Sequence, residues 1–181
     1  MAYTVLQEEN GTILFCPQVF HDERGFFMEA YKKSDFQKIG IDVDFVQDNH
    51  SFSKKGVIRA LHYQLPPFAQ AKLVQVISGE IIDIAVDLRK DSPTFKQYTI
   101  VKLSGENHNL FYIPAGFGHG FMALSDEVHL FYKCSCEYNK EHEHGVIWND
   151  PTLNLPWGEN LSPIISEKDL KLPVLENAEV F

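Results

Sequence analysis

Residues 56–64 read GVIRALHYQ, and residues 114–119 read PAGFGH. The first is a short apolar run, opened by Gly56, that carries Arg59 and His62. The second is a turn that delivers His119 onto the run GHGFMAL. Runs this short, bounded by turn residues, read as strands, because helices need longer segments and a period of three to four. The pattern repeats outward in both directions. TILFCPQVF, FFMEAY, DFVQDN, AKLVQVI, EIIDIAVDL, QYTIVKL, NLFYIP, VHLFYKCSCEY and GVIW are strand-like. Ser78-Gly79, Asp91-Ser92-Pro93 and Ser104-Gly105 mark turns between them. Many short strands without long helices predict an all-β jelly-roll barrel, as one domain over residues 1–181. One short peripheral helix is expected over 34–39, capped by Ser34 and stopped by Gly40. A second helical turn is expected from Ser166, in SEKDL.

The composition supports a folded chain. Hydrophobic residues make up 44% of 181 positions, and 14 Phe and 7 Tyr favour strands. The net charge of −9 argues against nucleic acid, whose backbone needs a basic surface. An anionic small ligand would need a local cluster of cations. Cys16, Cys134 and Cys136 are an odd set in a chain large enough to do without staples, and read as reduced thiols. On one strand Cys134 and Cys136 would share a face. The opening MAYTVLQEEN has no basic-then-apolar leader, and no apolar run approaches the roughly 20 residues of a membrane span. The expectation is a cytoplasmic protein without a membrane partner, in which the sequons at Asn49 and Asn160 are chance matches.

Gly56 with His62, and Pro114 through His119, resemble the paired motifs of cupins, which are small jelly rolls. A metal-binding cupin would show His-x-His followed by Glu. Here the stretch is HYQLPPF, with Gln64 in place of the second histidine and no acid after it. Protein metal sites ordinarily need three or four N or O ligands, so neither metal nor other cofactor is expected. A lone histidine on an apolar strand is ordinarily a core residue. Its company argues otherwise: Arg59, on the same run, and Lys72, His119 and Tyr132 fall on predicted strands of the same small barrel, and buried positions seldom carry such groups without a ligand. Gln47 and Asn49 share strand parity and point the same way. Arg59 and His62 do not share parity, so a bulge between them or a strand-edge position for Arg59 is needed if both face one site.

The strings HDERGFFMEAY, FVQDNHSFS, GVIRALHYQ, KLVQVISGEIIDIAVDLRKDSPTF, IPAGFGHGFMAL, YKCSCEY and WNDPTLNLPW run in order over nearly the whole chain. Together they resemble the dTDP-4-dehydrorhamnose 3,5-epimerase family. The resemblance implies a metal-free, cupin-like homodimer that inverts C3 and C5 of dTDP-4-dehydro-6-deoxy-D-glucose. It implies His62 as base, Asp169 as the carboxylate that orients it, Tyr132 as proton donor on the opposite face, and Lys72 beside the ketone oxygen. It further implies Tyr138 stacked on thymine. Substrate contacts would come from Arg24, Glu29, Gln47, Asn49, Arg59, His119, Glu143 and Lys168, with Arg24 and Glu29 reaching across the dimer. Where the family usually has glycine before Leu-His-Tyr-Gln, this chain has Ala60, whose methyl bears on packing and on the pocket beside His62. A single-centre epimerase or ketoisomerase of another dTDP-sugar, or a non-catalytic sugar-binding jelly roll, are the competing readings.

The chemistry fits these residue types. A C4 ketone acidifies the protons on C3 and C5, and inversion needs a base on one face and an acid on the other. Histidine suits the base because its unperturbed pKa is near 6.5. A carboxylate on its second nitrogen fixes the tautomer, which for Asp169 requires the C-terminal segment to fold back over the barrel.

Overall fold

The computed structural model describes residues 3–158 and 162–181, and Asn160 of the second sequon lies outside them. The strands are β1 (Tyr3–Glu9), β2 (Thr12–Pro17), β3 (Val19–Asp22), β4 (Gly25–Met28), β5 (Gln47–Lys54), β6 (Ile58–Gln64), β7 (Lys72–Ser78), β8 (Glu80–Asp87), β9 (Tyr98–Ser104), β10 (Leu110–Ile113), β11 (Phe117–Ala123), β12 (Glu127–Cys134) and β13 (Glu143–Gly145). They form a six-stranded sheet in the order β1-β2-β10-β7-β12-β5 and a five-stranded sheet in the order β13-β6-β11-β8-β9. β3 and β4 make a separate hairpin. The paired strands are antiparallel, and the chain is an all-β, cupin-like jelly roll as expected.

Period-two alternation sets the layers. Val74, Val76 and Leu130 from one sheet pack against Ile81, Leu103 and Phe121 from the other. The outer face of the six-stranded sheet is covered by helix α1 (Lys33–Lys38), whose Phe36 stacks edge-on with Tyr3 and Phe15 at 4.9 and 5.3 Å. The helix starts a residue earlier than expected. Lys32 occupies the cap position without a side-chain bond, so Ser34 is not the cap, while Gly40, at φ +86, ends the helix as the sequence suggests.

The C-terminal segment does fold back. Ile164 bridges Val57, and its carbonyl accepts the Ile58 N–H at 3.1 Å. Buried Asp150 takes the backbone N–H groups of Thr152, Leu153 and Leu175 at 2.7–2.9 Å. The turn expected at Ser166 forms: its hydroxyl accepts the Asp169 N–H at 3.0 Å, opening a short 3-10 helix, Asp169–Lys171. β12 ends at Cys134, so Cys136 lies beyond the strand and the expected shared face does not arise. β1 was not among the expected strands. Its exposed positions give it no simple in–out pattern, and its place comes from pairing with β2.

Candidate active site

A cavity of about 590 Å³ opens between the sheets. β6 brings Arg59 and His62 to it, β7 Lys72, β11 His119, β12 Tyr132, and β5 Gln47 and Asn49. β13 adds Glu143, and beyond the strands Tyr138, Lys168 and Asp169 complete the wall. Eleven of the thirteen residues singled out from sequence therefore line one cavity. Arg24 and Glu29 do not. Arg24 sits in the β3–β4 turn, its side chain 85% exposed and paired with Asp22, and Glu29 is exposed just past β4.

His62 Nε2 lies 3.0 Å from Asp169 Oδ1, a contact between residues 107 positions apart. An ionised carboxylate only accepts, so Nε2 donates and Nδ1 is left as the basic nitrogen. Burial works to raise the Asp169 carboxyl, but the hydrogen bond and charge of His62, the Ser166 hydroxyl and the Ala60 N–H outweigh it and hold it below the ordinary value.

Directly opposite His62 on β11 lies His119, which forms a second pair: its Nε2 is 2.9 and 3.0 Å from the carboxylate oxygens of Asp83. Both are buried, and burial pushes His119 below 6.5 despite the pull of Asp83. Lys72 is 8% exposed, and its ammonium makes one long contact, 3.4 Å to the His62 carbonyl. Among the described residues it forms no ion pair, and burial lowers its pKa. Burial raises the Tyr132 phenol, which stays protonated as a donor must.

At the rim, Glu143 accepts the Lys168 ammonium at 2.6 Å and the Tyr138 hydroxyl at 2.7 Å. Gln47 accepts the Tyr138 N–H at 2.7 Å and donates to Asn49 at 2.9 Å. Because β12 stops at Cys134, Tyr138 turns away from Tyr132 and reaches the rim, as their separation requires.

Gln64, at the position of a metal cupin's second histidine, ties loops together. Its amide donates to Phe68 and Glu137 carbonyls and accepts the Asn139 N–H at 2.7 Å. Among the described residues no group of three His, Cys, Asp or Glu side chains converges as a metal would need. The Ala60 methyl is fully buried in the layer behind β6, among Ile58, Leu61 and Met122, and does not narrow the cavity.

Sequence reasoning missed two residues here. Asp83 sits mid-strand between the apolar residues Ile82 and Ile84 of EIIDIAVDL, and that apolar setting was its signal. Ser51 lines the cavity between Asn49 and Ser53, and its hydroxyl is the one buried side-chain polar atom without a partner among the described residues. Its parity with Gln47 and Asn49 on the same run was the signal.

The chain is similar to known proteins over most of its length. The family described as dTDP-4-dehydrorhamnose 3,5-epimerase matches residues 7–177. A dTDP-4-dehydrorhamnose 3,5-epimerase of Shigella flexneri is 48% identical over 170 residues, covering 93% of each chain. The crystal structure of the Bacillus anthracis epimerase with TDP and PPi bound superposes with a TM-score of 0.93 at 46% identity, over 96% of this chain and 99% of that one. A Legionella pneumophila relative, solved in complex with dTDP-4-keto-L-rhamnose, gives a TM-score of 0.91 at 41% identity, covering 97% and 93%.

Proposed function

The chain belongs to the dTDP-4-dehydrorhamnose 3,5-epimerase family, and on that premise we propose that its cavity inverts C3 and C5 of dTDP-4-dehydro-6-deoxy-D-glucose with His62 as the base. The product is dTDP-4-dehydro-L-rhamnose, in dTDP-L-rhamnose biosynthesis. The observation that carries the residue roles is the His62–Asp169 contact at 3.0 Å inside a cavity that also holds an unpaired ammonium.

His62 removes the proton beside the ketone through the nitrogen that Asp169 leaves free, and Asp169 stabilises the imidazolium that forms. Charge then develops on the ketone oxygen. Lys72 stands beside His62 and meets that charge, an effect often worth about 3–4 kcal/mol per donor lost. Tyr132, held protonated, returns a proton to the carbon from the other face. The reaction is redox-neutral, so proton-moving and oxyanion-stabilising groups answer its needs. Tyr138 is 54% exposed at the rim and offers a ring face to the thymine. Arg59, which no carboxylate pairs among the described residues, suits the diphosphate, and Gln47, Asn49, Glu143 and Lys168 supply further substrate contacts from the cavity wall.

Arg24 and Glu29 serve a neighbouring cavity in a homodimer. The β3–β4 hairpin exposes Phe20, Phe26 and Phe27 by 52–66%, more apolar surface than a lone hairpin normally leaves in water. No described helix is long and apolar enough to cross a membrane.

Incubation with the dTDP-4-keto sugar, read by NMR coupling constants, tests the reaction. The expected product is inverted at both centres. Inversion at one centre, or none, contradicts the reading. An active monomer by light scattering would contradict the cross-subunit roles of Arg24 and Glu29.

A further inference from the structure

The strand that carries His62 is out of register with its neighbour, between the two residues the site needs. His119 faces His62 and Phe121 faces Arg59, so two steps of β11 span three of β6. Ala60 and Leu61 together stand opposite Gly120, which is a β-bulge. On a regular strand, residues three apart point to opposite faces. With the extra residue, Arg59 and His62 both line the cavity, while Ala60 and Leu61 are both buried behind it.

The bulge fits because residue 120 has no side chain. A Cβ there would lie 2.5 Å from the Ala60 Cβ, 2.8 Å from the Arg59 carbonyl oxygen and 2.9 Å from the Ala60 Cα. Two of these atoms are backbone and cannot rotate away. Gly118, two residues earlier on β11, differs: its Cβ would meet the flexible end of Leu88 at 2.9 Å and touch the Leu61 Cβ at an ordinary 3.5 Å, and its three nearest neighbours are all side-chain atoms. The bulge also meets the C-terminal segment, since Ile58 binds Ile164 and the Ala60 N–H acts on the Asp169 carboxylate.

We propose that Gly120 is a positioning residue: the space left by its missing side chain admits the bulge at Ala60–Leu61, and the bulge sets His62 against Asp169 and turns Arg59 onto the same wall. The inference rests on His62 being the base, but its geometry has a readout that needs no turnover.

The test compares Gly120→Ala with Gly118→Ala. Both add one methyl to the same strand, and both should lower the melting temperature. In Gly120→Ala, kcat falls on the order of 100-fold, the loss that roughly 1 Å of misplacement brings. The downfield proton resonance of the His62–Asp169 hydrogen bond shifts or disappears, and dTDP binding weakens. In Gly118→Ala, kcat stays within a few-fold of the parent and the resonance stays. Adding Ala60→Gly to Gly120→Ala removes the 2.5 Å contact and restores part of both signals, and this double variant is read instead if the single one does not fold. A folded Gly120→Ala protein with parental kcat and an unchanged resonance overturns the proposal. So does a Gly118→Ala protein that loses as much of either. If the parent failed to invert the sugar, the resonance and dTDP binding would still judge the positioning role separately.

Discussion

Asp83 and Asp87 lie on the same strand, four residues apart, and neither exposes any surface. Asp87 is held by its own neighbourhood: Arg89 through Nε, Nη2 and backbone N–H at 2.8–3.0 Å, Ser92 at 2.5 Å and Thr94 at 2.6 Å, all within seven residues. Asp83 instead has His119, 36 positions away on the next strand and on the cavity wall. Around Asp87 both carboxylate oxygens are held, by three neighbouring side chains and a backbone N–H. The cavity wall that His119 joins holds groups with capacity to spare: Lys72 with one long contact, Ser51 with none, and the free nitrogens of two histidines. Buried polar groups are ordinarily satisfied, because leaving one unpaired costs about 1–3 kcal/mol. A region that leaves one hydroxyl unpartnered and an ammonium thinly held is built for a ligand; one that satisfies its groups is built for the fold.

That contrast can be broken by substitution. The largest effect is expected at Lys72. Lys72→Met should lower kcat roughly 100- to 1,000-fold, as loss of an oxyanion donor does, while the urea midpoint stays level or rises, because a thinly held buried ammonium is removed. A large stability loss with kcat preserved would put Lys72 with Asp87. Asp87→Asn should do the reverse, costing about 3 kcal/mol by urea unfolding, the low end for breaking a buried charged pair, with kcat unchanged under native conditions. Ser51→Ala should raise KM a few-fold and leave stability unchanged or up by about 1 kcal/mol. A fall in stability without a change in KM would show that its hydroxyl serves the fold.

The smallest effect separates the two aspartates by pH. Burial holds His119 below 6.5, so the unfolded chain takes its proton first, and stability declines as pH falls below 6.5 towards the folded value. Asp87 is held at about 2 against 3.8, despite its burial, by Arg89, Ser92 and Thr94. Its contribution is complete above pH 3.8 and is lost as pH falls through about 2. Urea midpoints against pH should therefore show two declines. His119→Gln should abolish the upper one and spare the lower; loss of both would contradict the separation.

What was legible in the sequence follows the same division. The Asp87 end is local, and RKDSPT already read as a turn. Short strand-like runs pointed to the barrel, and the four groups that single out His62 lie on such strands, Arg59 on the same one and Lys72, His119 and Tyr132 on three others. The His62–Asp169 contact was legible through family resemblance alone, because the fold-back that makes it spans 107 residues. Asp83 was invisible as a partner because pairing of β8 with β11 is a property of the sheet, not of either string. The parity conflict of Arg59 and His62 could be posed from alternation but not resolved, because a bulge depends on the residue across the ladder, Gly120. Arg24 and Glu29 lie where one chain gives them no cavity.

The central claim is that the cavity moves protons through His62, and its most direct test is solvent exchange. The dTDP-4-keto sugar is incubated in deuterated water with the parent, His62→Ala or Asp87→Asn, and C3 and C5 are followed by NMR. The parent and Asp87→Asn should place deuterium at both carbons, and His62→Ala at neither beyond the enzyme-free rate. Full exchange in His62→Ala would contradict the account.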